Sequence, residues 1–192
     1  MSYLILGLIL FLGTHSIRVF ADGWRSQMIA KLGLLPWKGL YALVSLVGFI
    51  LLVWGYGQAR LDPVWLWHSP LWVRHLVGLL MLPALILAGA SHISGSAIRA
   101  KVGHPLIAAT KLWAGAHLIA NGALADLVLF GSFLVWSMIA FRSARRRDKA
   151  ANLPTPVTSL RWDALAVIIG TALWLVFAFY LHKPLFGVSS MG

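Results

Sequence analysis

Six apolar stretches constrain this chain more than anything else in it. They run over about 3–20, 37–57, 71–92, 105–121, 124–141 and 162–181. A hydrocarbon core about 30 Å thick takes roughly 17–25 residues of helix to cross. Backbone polar groups find no water in lipid, so each stretch must pair its own amides and carbonyls as a helix. Composition agrees: 60% of the residues are hydrophobic, 11% are charged, and the mean hydropathy is +0.84. Soluble domains carry about 25% charged residues. The reading is an all-α polytopic membrane bundle of about six transmembrane helices. The N-terminus has no basic region and no small-residue cleavage site, so the first stretch is expected to remain as a helix.

The net charge of +11 would point to nucleic acid in a soluble protein. Here the basic residues sit in short connections beside apolar segments, so an anionic membrane surface explains them and no nucleic-acid partner is expected. Twelve lie in the odd-numbered connections, including Arg18, Arg25, Lys31, Lys38, Arg99, Lys101 and the run from Arg142 to Arg161; Arg60, Arg74 and Lys183 lie on the other side. The positive-inside rule then puts both termini outside. The stretch from Arg142 past Pro156 reads as the longest soluble segment, open to a partner or anionic lipid. The chain has no cysteine, which excludes disulfides, thiolate catalysis and iron–sulfur clusters.

Seven histidines stand against five acids, all Asp. His68, His75, His92, His104 and His182 fall near membrane ends or in loops. His15 and His117 do not. Each lies about 18 Å into its span, from opposite faces, at about 1.5 Å per residue. In a core about 30 Å thick they are offset by only about 6 Å. Two imidazoles from different helices at one depth suit the axial positions of a haem iron. Around them, Trp113 and Asn121 flank His117 at i−4 and i+4, where Asn121 could hold its second ring nitrogen. Arg18 lies one turn inward of His15, within reach of a propionate. Gly13 and Gly115 precede the histidines by two residues and would admit a helix or a flat macrocycle. Lys111 is assigned to the inner water or to His104. A zinc site would need further ligands at that depth.

Several motifs carry a family resemblance: Gly13-Thr14-His15-Ser16, Gly39-Leu40-Tyr41, Val53-Trp54-Gly55-Tyr56-Gly57, Trp72-Val73-Arg74-His75, His104-Pro105, Trp113 through Asn121-Gly122, and Leu129-Phe130-Gly131. Together they resemble the NnrU family of bacterial membrane proteins over about 1–145. The resemblance implies a multi-pass inner-membrane protein tied to denitrification and nitric oxide metabolism. On this reading 1–145 is the family-like membrane domain, 146–160 a basic, Pro-containing cytoplasmic loop, and 161–192 a sixth helix with a short tail. The pattern is also similar to plant 15-cis-zeta-carotene isomerases, which implies haem b held by His15 and His117 and redox-dependent isomerisation of an apolar substrate such as a carotenoid. This chain departs from those isomerases at Ala114, where they carry cysteine, and at Gly103, where they carry arginine. The alternative expectation is a non-enzymatic accessory or assembly factor of a respiratory or denitrification complex. A third, from the His-Pro entrance, is a membrane methyltransferase-like protein, though no acidic pair follows it.

Overall fold

The computed structural model describes residues 1–152 and 157–188. It is built from α1 (Ser2–Phe20), α2 (Asp22–Leu32), α3 (Leu34–Ala59), α4 (Leu71–Ala90), α5 (Ala97–Val102), α6 (Pro105–Ala120), α7 (Leu124–Ala151) and α8 (Leu160–Val176). A π-helical turn, Phe177–Leu181, joins α8 to the short α9 (His182–Phe186). Among the described residues there are no strands, only an isolated bridge between Trp65 and Ala123. Leu153-Pro154-Thr155-Pro156 of the expected loop lie outside the described residues, as do the last four of the chain.

Five helices are long and apolar enough to cross a membrane: α1, α3, α4, α7, and α8 with its continuation to Phe186. Large apolar side chains face outward along them. Ile9, Leu79 and Ile168 are 63%, 63% and 64% exposed, which only a lipid surround makes favourable. The fourth expected span is the shortest. α6 has 16 residues, about 24 Å of helix. Pro105 fixes its start, and Asn121 leaves the helix in an extended conformation at φ −117°, ψ 118°. Non-helical backbone is tolerated at such a depth where protein covers it. Residues 64–69 provide that cover at one end. Leu66 N–H donates to Gly122 O at 2.8 Å, Leu124 N–H to Val64 O at 2.8 Å and Ser69 Oγ to Ile119 O at 2.7 Å. Gly122 must be glycine, because the Trp67 carbonyl occupies the place of a Cβ.

Two differences from the sequence reading matter. The helix that carries the fifth span does not stop near Phe141; α7 continues through the basic run to Ala151, where Asn152 closes it in the left-handed conformation at φ 51°. The segment read as soluble loop is therefore helix as far as Ala151. The short α2 and α5 were not expected at all. Helix packing orders the spans α3, α1, α7, α6, α4, α8, with α7 touching both α1 and α6. Leu4, Leu8 and Leu12 of α1 meet Ala125, Leu129 and Phe130 of α7 in the main buried cluster.

Candidate functional site

His15 and His117 are held in the same way. His15 Nδ1 donates to the Phe11 carbonyl at 2.7 Å, and His117 Nδ1 donates to the Trp113 carbonyl at 3.0 Å. A carbonyl oxygen only accepts, so each Nδ1 carries a proton, and in the neutral ring Nε2 keeps its lone pair. Among the described residues neither Nε2 has a hydrogen-bond partner. This is the arrangement that orients a histidine for metal binding, with the far nitrogen tied down and the near one free. Both rings are partly buried.

Each ring leans one turn back toward the start of its own helix, as helical side chains do. α6 turns directly into α7, and α7 runs parallel to α1, so α1 and α6 are antiparallel. The two leans therefore converge. Aromatic rings fill the space between. His15 packs on Phe11 at 4.3 Å, Phe11 on Phe133 at 5.9 Å, Phe133 on Trp113 at 5.4 Å, and Trp113 on His117 at 5.6 Å. α7 serves as a ruler. His117 faces Phe130 at 5.1 Å and His15 faces Trp136 edge-on at 6.2 Å. These α7 residues are six apart, about 9 Å along the axis. Tyr41 of α3 closes the other side of His15 at 5.4 Å. Trp136 Nε1 is buried beside it and makes no hydrogen bond. On its outer side Trp136 lines an open groove of about 480 Å³ between α1 and α7, together with Ser16, Gly131, Ser132 and Val135.

The remaining expected residues fall as follows. Trp113 is on the face of His117, as its spacing requires. Asn121 is a correction: its Nδ2 donates to the His117 backbone carbonyl at 2.8 Å, and the ring nitrogen belongs to Trp113. The backbone carbonyl one turn back is simply nearer to Nδ1 than a side chain one turn ahead. Gly13 and Gly115 are a second correction. Open space surrounds a Cβ at Gly13, and only Leu134 at 3.8 Å would meet one at Gly115. Residues two apart in a helix point to nearly opposite sides, so neither glycine shares its histidine's face. The close-approach glycines are Gly7, Gly48 and Gly55 between α1 and α3, and Gly170 against α4. Arg18 is exposed one turn beyond His15, and its carbonyl accepts from Arg147 Nη1 at 3.4 Å.

Sequence reasoning missed the α7 residues Phe130, Phe133 and Trp136, although their spacing of three marks one helix side. It also missed the partner of His104, whose Nε2 donates to Asp148 Oδ2 at 2.9 Å. Lys111 stands over Phe141 at 5.3 Å, and the His104 ring meets the same phenylalanine edge-on at 6.4 Å. Gly103 has φ +77°, and the Arg145 guanidinium lies where its Cβ would be. An arginine side chain at 103 would be strained by that backbone conformation, and the Arg145 guanidinium would have to swing aside. Among the described residues no three His, Cys, Asp or Glu side chains gather into a cation site.

No characterised protein and no solved structure shows significant similarity to the chain. One family model does, described as NnrU protein, and it matches residues 3–190. The match runs past 145 and takes in α8 and α9. With nearly its whole length covered, this helical membrane protein belongs to the NnrU family.

Proposed function

We propose that this protein binds haem b through His15 and His117 in a bacterial inner membrane, with both termini outside. The observation that carries the reading is the matched pair of Nδ1 clamps, which leave two Nε2 atoms free on α1 and α6, the helices either side of α7. The buried, unpartnered Trp136 Nε1 beside His15 supports it, since a donor without an acceptor is costly in lipid. The donor set fits the group. The aromatic wedge of Phe11, Phe133 and Trp113 stands between the imidazoles, so these side chains would have to move aside for the group to enter.

A bound haem would supply one-electron chemistry, and the chain's own residues set its conditions. The Phe11 and Trp113 carbonyls fix the imidazole tautomers. The aromatic wedge keeps water out. Arg18, exposed at the inner end, is placed for a propionate. The groove beside Trp136 is open and mostly apolar-lined, so in a bilayer it would offer an apolar molecule a way in without passage through water. The activity proposed is redox chemistry on such a molecule: a step linked to nitric oxide metabolism, or redox-dependent isomerisation of a polyene. His15 and His117 would both hold the iron, so electron transfer is the chemistry the pair would favour.

The test is a reduced-minus-oxidised absorption spectrum of protein purified from haem-replete cells. A b-type spectrum is expected in the wild type and is lost in His15→Ala and His117→Ala. A haem-free wild type would overturn the reading.

A further inference from the structure

The helical run at the inner end of α7 carries a second kind of site. α7 has 28 residues, about 42 Å of helix. It starts at Leu124, at the joint with α6. A core about 30 Å thick takes up about 20 of its residues, to about 143. The last two turns then cross the headgroup layer rather than lying in lipid or in bulk water.

Those turns sort their charges. Arg142, Arg145, Arg146 and Lys149 follow the i, i+3, i+4, i+7 spacing and lie within an arc of about 100°. All four are exposed. Asp148 and Arg147 fall outside that arc and are turned to the protein. Asp148 accepts from His104 at 2.9 Å, and Arg147 donates to Ser143 Oγ at 2.7 Å and to the Arg18 carbonyl. The one acid in the run is thus engaged by His104, although it borders the same surface, and the four cations have no carboxylate partner among the described residues. Arg145, Arg146 and Lys149 border an open depression of about 510 Å³ together with Asp148 and Asn152, and the Arg145 guanidinium reaches back over Gly103. The helix dipole favours cations only within the last turn. It accounts for Lys149; the positive-inside rule accounts for cations on this side of the membrane but not for their alignment along one helix face.

We infer that this face is a binding site for anionic phospholipid headgroups, taking one or more phosphodiesters along the stripe from Arg142 to Lys149. The depth of the stripe matches the phosphate layer, its charge is unbalanced within the protein, and the helix holds the spacing rigid. A cluster of cations in this position attracts acidic lipid with a contribution from each charge. The site is independent of any haem.

The experiment uses the full-length protein in nanodiscs of phosphatidylcholine with and without phosphatidylglycerol, and counts retained lipid by native mass spectrometry. Selective retention of phosphatidylglycerol is expected in the wild type. Arg145→Gln with Arg146→Gln should weaken it by roughly 25-fold, about fivefold per cation near the surface. Lys31→Gln with Lys38→Gln removes as much charge from the same side and should leave retention within about twofold of wild type, because neither lies on the stripe. Equal loss in the two variants would overturn the site in favour of a general surface field. No lipid preference, displacement by millimolar inorganic phosphate, or preference for an acidic peptide over the lipid would each overturn it as well.

Discussion

Asp126 is the residue on which the His117 end of the candidate site rests. It is 5% exposed and lies at the start of α7. Its Oδ1 accepts from the Tyr56 hydroxyl of α3 at 2.5 Å, and its Oδ2 accepts from the Ala123 amide at 3.0 Å. Tyr56 in turn packs edge-on against Phe130 at 6.2 Å, and Phe130 faces His117. Removing the carboxylate leaves a buried hydroxyl and amide unpaired. Asp126→Ala should cost about 3 kcal/mol, and Tyr56→Phe about 1–2 kcal/mol, in reversible unfolding of the micellar protein by dodecyl sulfate. A change within error for Asp126→Ala would mean that the carboxylate is solvated in the membrane. Residues of this kind separate what a sequence can and cannot show. His15 and His117 were visible because depth along a helix is a matter of counting. Tyr56 and Asp126 lie 70 positions apart and meet only through tertiary packing. Trp136 was hidden for the same reason, since its neighbour is on α1.

Between elements the decisive contacts are made by backbone approaching backbone. Gly7 of α1 meets Leu52 of α3, Gly55 of α3 meets Leu4, and a Cβ at Gly48 would sit 2.7 Å from the Phe11 amide. Small residues at these crossings let helices pack closely where lipid gives no hydrophobic drive between them. Gly55→Ala should therefore destabilise by about 1–3 kcal/mol through overpacking. Gly13→Ala has open space around it and should be neutral or slightly stabilising, by up to about 1 kcal/mol from helix propensity. The same unfolding assay reads both, and equal effects would refute the packing assignment. The spans themselves were legible from apolar length. Their ends were less so: α7 runs on through Arg142–Lys149 because nothing in that run breaks a helix, so charge alone was a poor stop signal. α2 and α5 escaped because DGWRSQMIAKL and AIRAKV are too short and too polar to register as apolar periodicity.

At the scale of the molecule, α7 is the spine. It carries α1 and α6 on its sides, joins the two histidines through its aromatic face, and ends in a basic stripe. The proposed orientation rests on the charge distribution. With twelve basic residues in the odd connections, alkaline phosphatase fused after Gly192 should be active and a fluorescent protein there dark; the reverse would invert the proposed topology. The central claim is that both histidines ligate one haem iron. Low-temperature electron paramagnetic resonance of the oxidised, purified protein tests it most directly. The account predicts a low-spin ferric signal of bis-imidazole type, converted to high spin or lost in each of His15→Ala and His117→Ala. A low-spin signal that survives either substitution would contradict it.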